Sequence, residues 1–106
     1  GNDDQVVPMM SLGAKGVVSV AANLVPEVMV QMSHLCLEGR FREAAALQIE
    51  YTDLIDALFL EVNPIPIKAA MNLMGMEAGS LRLPLCDISH KNLETLRQAM
   101  GRMGLL

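Results

Sequence analysis

Lys15, Lys68 and Lys91 are the only side chains in this sequence that could form an imine with a carbonyl substrate. A nucleophilic lysine must lose its proton near neutral pH, which requires a desolvating stretch or a neighbouring cation. None of the three has either, so all three read as solvated or ion-paired. His34 and His90 lack a second ligand-type residue at metal spacing and read as surface or half-buried histidines. Asp3 and Asp4 are adjacent carboxylates at a helix start, where the helix dipole favours negative charge without any acid–base role. No serine has a histidine and an aspartate at plausible spacing for nucleophilic hydrolysis. Cys36 and Cys86 are far apart, with no Cys-x-x-Cys and no paired histidines, and are expected to be free thiols. The residues therefore point to no catalytic group and no metal site within this chain.

The elements that would position any site come next. With 106 residues there is room for one domain. Hydrophobic residues make up 52% and charged residues 19%, an apolar balance for so small a body, and part of that apolar surface is expected to belong against something else. Eight Lys and Arg against a net charge of −4 leave no basic stripe for phosphates or anionic lipid, which argues against nucleic acid and membrane surfaces as partners. No apolar run approaches the ~20 residues needed to cross a bilayer, and the first residues lack the basic-then-apolar order of a signal peptide. The expectation is a soluble, cytoplasmic protein.

Asp3 or Asp4 could cap a short helix carrying Val7, Met10 and Leu12, ended by Gly13. Gly16 to Val20 is the best strand, β-branched and bounded by Gly16 and Asn23, and it reads as buried. It stands alone, and one buried strand cannot satisfy its own backbone. Val25, Val28, Met29, Met32, Leu35 and Cys36 mark one face of a helix over 25–38, which Gly39 ends. A second helix from about Phe41 carries Ala44, Leu47, Tyr51, Leu54, Ile55 and Leu58 inward, making a hairpin with the first. Asn63 is placed to cap a helix running to Met74, Leu81 to Leu85 reads as extended, and Ser89 opens a last helix with Leu93, Leu96, Met100 and Met103 on one side. Ile88 and Leu93 match a hydrophobic staple. Most of the nine methionines fall on inner faces, where a thioether fills gaps in packing.

Gly1-Asn2-Asp3-Asp4, Leu12 to Asn23, and the pair Asn63-Pro64-Ile65-Pro66-Ile67-Lys68 and Leu81-Arg82-Leu83-Pro84-Leu85 closely resemble the end of the dihydrodipicolinate synthase family. These are pyruvate-dependent aldolases of the superfamily that includes sialic acid lyases. The resemblance covers the whole chain. The segment from Gly16 to Asn23 is common to the superfamily, whereas the two proline motifs point to the synthase branch. Such proteins are (β/α)8 TIM barrels, which need ~250 residues, with a C-terminal helical extension. The resemblance thus implies a mainly α chain with one short strand, in which residues 1–38 are the end of the barrel and residues 39–106 the extension. Within the barrel part, residues 4–12 would be the seventh helix, 16–20 the eighth strand and 25–38 the eighth helix.

The family condenses pyruvate, held as a Schiff base on a lysine, with aspartate semialdehyde in the diaminopimelate route to lysine. By the resemblance its catalytic lysine, tyrosine and threonines lie upstream of Gly1, so this chain is expected to be inactive alone. No metal or other cofactor is implied. Two positions carry over as substrate-binding: Val18, matching the strand-eight position that contacts pyruvate, and Gly1, matching a glycine whose backbone lines the same pocket. Val18 stands where isoleucine is common, one methylene smaller, and plain barrel packing would account for it equally. Relatives form homotetramers, which implies a homo-oligomer with the 4–12 helix near a subunit contact. Other readings are a sialic acid lyase-like aldolase, a stand-alone helical oligomerisation module, or an oligomer whose strand 16–20 pairs with a second copy.

Overall fold

The computed structural model describes residues 1–106, in which six α-helices and two short 3-10 turns are joined by irregular chain. Its contacts cluster into two compact units, Gly1–Thr52 and Asp53–Leu106.

In the first unit, a 3-10 turn at Asp3–Gln5 leads into α1, Val6–Ser11, which buries Val6, Val7 and Met10. Leu12, expected on that inner face, is instead exposed, because it follows the last helical residue. A second 3-10 turn at Ala21–Asn23 precedes α2, Pro26–Leu37, with Pro26 in the first turn, where its missing N–H costs nothing. Met29, Met32, Leu35 and Cys36 are buried at helical spacing. Gly39 ends α2 as expected. Its φ of +77° lets Arg40 N–H reach the Leu35 carbonyl (2.8 Å) and its own N–H reach Cys36 (3.0 Å), satisfying two carbonyls that the helix end leaves free. After that turn α3, Phe41–Glu50, packs against α1 and α2, giving the expected hairpin.

The second helix of the hairpin does not run on to Leu58. It breaks at Tyr51, and α4 occupies Thr52–Leu58. The Thr52 hydroxyl donates to the Gln48 carbonyl (2.9 Å), an i−4 side-chain bond of the kind that bends helices.

The expected strand at Gly16–Val20 is absent: the chain contains helices and no strand. The segment is irregular and unpaired, Val20 already has helical dihedrals, and Val18 is 85% exposed rather than buried. The β-branched sequence has the right propensity, but a strand exists only when a neighbour takes its N–H and C=O groups, and this chain supplies none.

In the second unit, Leu54, Ile55, Ala57 and Leu58 of α4 are buried. Helix α5, Ile65–Leu73, buries Ile65, Pro66, Ile67 and Ala70, and it packs on α6, His90–Arg102, which buries Leu96, Ala99 and Met100. Asn63 does not cap α5. Pro64 holds the cap position instead and, having no side-chain acceptor, makes no cap bond; the first turn is closed by the backbone alone, Lys68 N–H donating to the Pro64 carbonyl (3.1 Å). Leu81 to Leu85 is not extended throughout, because Leu83 and Pro84 form a turn closed by Leu85 N–H on the Arg82 carbonyl (3.0 Å). Ser89 does cap α6, its hydroxyl accepting from Asn92 N–H at 3.2 Å.

Candidate functional site at Gly1 and Val18

Two compact polar arrangements fix the first unit where Gly1 and Val18 meet. The side chain of Asp3 is fully buried, and one of its oxygens accepts from both Val20 N–H (3.0 Å) and Ala21 N–H (2.8 Å). Those are donors at the start of the 3-10 turn, so Asp3 caps a turn 17 and 18 residues further on and not the helix next to it. Its other oxygen, Oδ1, is buried without a hydrogen-bond partner. The backbone of Asp3 is held as well, because Gln48 on α3 donates from Nε2 to the Asp3 carbonyl (2.9 Å) and accepts Val7 N–H at Oε1 (3.2 Å). Gln48 is only 8% exposed, and its two bonds join α3 to the segment running from Asp3 into α1.

This framework brings together the two positions singled out in the sequence. The Gly1 nitrogen lies 3.4 Å from the Val18 carbonyl oxygen, and both residues line a shallow cleft of about 300 Å³ with Gln5, Val6, Met9 and Gly16. The cleft is mostly apolar, and no acidic, basic or amine side chain lines it. What it offers is shape and backbone polar groups: a wall, without the means to make or break a bond.

The remaining candidates lie elsewhere. His34 and His90 are exposed, and no cluster of three His, Cys, Asp or Glu side chains is placed to hold a metal ion. Lys15 and Lys91 are exposed, while Lys68 donates to the Ser80 carbonyl (2.7 Å). Together with Asn72, which bonds Gly79 and Ala78, Lys68 fastens the 78–80 loop onto α5. Cys86 is exposed, whereas Cys36 is buried, and its burial pushes the thiol up. Glu61 accepts from Asn92 Nδ2 (2.8 Å) and Ser89 N–H (3.0 Å) at the start of α6. Those bonds, the one from Asn92 foremost, hold its carboxyl below the usual range. Sequence reasoning missed Gln48 and Glu61. Gln48 hides among the apolar residues of a helix, and Glu61 acts across 28 positions, so neither leaves a local signal.

A sequence profile of the dihydrodipicolinate synthetase family matches residues 1–103. The chain belongs to the dihydrodipicolinate synthase family. Within that family it is 55% identical over 100 residues to the 4-hydroxy-tetrahydrodipicolinate synthase of Clostridium novyi, covering 94% of this chain and 34% of that protein. It is 51% identical to the Acetivibrio thermocellus synthase over all 106 residues, 36% of that protein. Among solved structures it matches the dihydrodipicolinate synthase of Thermotoga maritima at 40% identity with a TM-score of 0.96, over 100% of this chain and 36% of that one. The chain thus spans about a third of the length of the family members it matches, and its helices correspond to part of the TIM-barrel fold of these synthases. No helix is long and apolar enough to cross a membrane.

Proposed function

We propose that this chain forms the C-terminal portion of a cytoplasmic lyase that condenses pyruvate, held as a Schiff base on a lysine, with aspartate semialdehyde in the diaminopimelate route to lysine. The observation that carries the reading is the unpaired segment at Gly16–Val20. It is β-branched, lies beside Gly1 and leaves Val18 85% exposed, as suits a barrel strand whose neighbours belong to another part of the protein. Residues 1–38 close the barrel, and residues 39–106 form the helical extension. Gly1 and Val18 provide one wall of the pyruvate pocket, Val18 through its exposed side chain and Gly1 through its backbone. The chain is inactive alone, because the imine-forming lysine and the proton-shuttling tyrosine belong to the other part of the barrel. The assembled enzyme is a homotetramer.

The experiment is a hybrid in which this chain replaces the matching stretch of the Clostridium novyi synthase. Two results are expected: condensation of pyruvate with aspartate semialdehyde, and a borohydride-trapped pyruvate adduct on a lysine outside these 106 residues. A folded hybrid without product would overturn the proposal. So would a mass increase on Lys15, Lys68 or Lys91 when the isolated chain is treated with pyruvate and borohydride. Val18→Asp tests the wall itself: it should leave the isolated chain's stability unchanged within about 0.5 kcal/mol, as for other exposed positions, while raising the hybrid's KM for pyruvate.

A further inference from the structure

Building on the pyruvate wall proposed above, we infer that Asp3 is a positioning residue for it, fixing Val18 against Gly1 without touching substrate. Gly1 lies two residues before Asp3, and Val18 lies two residues before Val20, the first of the two N–H donors that the Asp3 carboxylate accepts. A bond between Asp3 and Val20 therefore closes a short ring that contains both wall residues and the 3.4 Å approach of the Gly1 nitrogen to the Val18 carbonyl. The ring is anchored at a second point, where Gln48 on α3 grips the Asp3 carbonyl. Segment 14–20 has no other regular structure to hold it, since it pairs with no strand and its residues are exposed or half-buried. The Asp3 side chain also differs from an ordinary cap. It is buried completely, at the cost of leaving Oδ1 without a partner, whereas the same turn could be capped from the surface by a side chain that keeps contact with water. Interior placement is what lets one side chain reach from the Gly1 loop to the far end of the 16–20 segment.

The test uses the hybrid enzyme described above, with the unsubstituted hybrid as reference. Asp3→Ala removes the clamp and is expected to raise the KM for pyruvate by about 10-fold or more, because small displacements of a binding wall carry large penalties. The KM for aspartate semialdehyde should stay within about 3-fold of the reference, given that the wall is assigned to pyruvate alone. Asp3→Asn keeps a carbonyl oxygen able to accept both N–H groups and should restore the pyruvate KM. In the 106-residue chain, amide exchange at Val20 and Ala21 should accelerate in D3A and remain slow in D3N. Loss of turnover with both KM values moving together would overturn the inference in favour of a purely structural role. So would a D3N variant with protected amides that still has the raised KM, or a D3A variant with unchanged exchange. An unsubstituted hybrid that is folded but inactive would instead defeat the pyruvate-lyase reading on which the inference stands.

Discussion

Replacing Gln48 by leucine tests whether the polar bridge from α3 holds the segment that carries the candidate wall. Leucine keeps much of the buried volume and removes both hydrogen bonds, so it separates bonding from cavity formation. Two backbone groups, the Asp3 carbonyl and the Val7 N–H, then lose their partners at 2.9 and 3.2 Å. An unsatisfied buried group costs about 1–3 kcal/mol. Two of them give about 2–6 kcal/mol, partly offset because a glutamine loses up to ~2 kcal/mol of rotamer freedom on burial and leucine loses less. A net loss of about 2–4 kcal/mol is expected, a large fraction of the 5–15 kcal/mol typical of a whole domain. Urea unfolding of the chain, followed by helical circular dichroism, measures the change. Amide exchange at Val7 reports whether the first unit is the part that opens. A loss below about 0.5 kcal/mol, the range of ordinary surface substitutions, with Val7 still protected would show that the Gln48 bridge does not hold the segment. Gln48→Ala adds a cavity to the same lost bonds and should cost more than Gln48→Leu.

Glu61 gives a pH prediction. Asn92 and Ser89 lower its carboxyl in the folded chain, so the folded state prefers the ionised form. The stabilisation is present above the unfolded carboxylate value of about 4.3 and is lost as pH falls through the lowered folded value. Unfolding curves for the parent and Glu61→Gln should therefore converge on acidification, and a gap independent of pH would contradict the assignment. Ser89→Ala should cost about 1 kcal/mol as the loss of a helix cap, read by urea unfolding and by faster exchange at Asn92 N–H. Cys86 should react with a thiol reagent at the rate of a free thiol, while Cys36, buried and pushed up, reacts only as fast as α2 opens. Equal rates without denaturant would show that α2 does not shield it.

The helices were legible because their signals are local. Apolar spacing located α2 through Met29, Met32, Leu35 and Cys36, Gly39 marked its end, and Ser89 marked the start of α6. The errors came where a distant or competing group decides. The Thr52 hydroxyl takes the Gln48 carbonyl and divides a helix whose apolar pattern runs unbroken from Ala44 to Leu58. Helix α5 starts past Asn63, with Pro64 in the cap position, where no side chain can take an N–H. The candidate site is a proposal, and the sequence offers only two of its positions. Gly1 and Val18 were named from a family resemblance, and the structure sets them side by side, but the groups that hold them there, Asp3 across 17 residues and Gln48 across 45, have no sequence signature.

The segment 16–20 shows why propensity and structure part company here. Val17, Val18 and Val20 favour a pleated chain because β-branched side chains suit it. Yet what makes a strand is a row of hydrogen bonds to a neighbour, and those bonds belong to the pair. Val20 has helical dihedrals and leads into the Ala21–Asn23 turn, and the donors of Val20 and Ala21 go to the Asp3 carboxylate. That acceptor binds the end of the segment and leaves its middle, with Val18, open to solvent. On the proposed function, the same division suits a barrel strand whose end is fixed by its own unit while its central residues face flanking strands and substrate. It also accounts for Val18, whose β-branched type reads as core and which is surface in this chain: on the proposed function its cover would come from flanking strands.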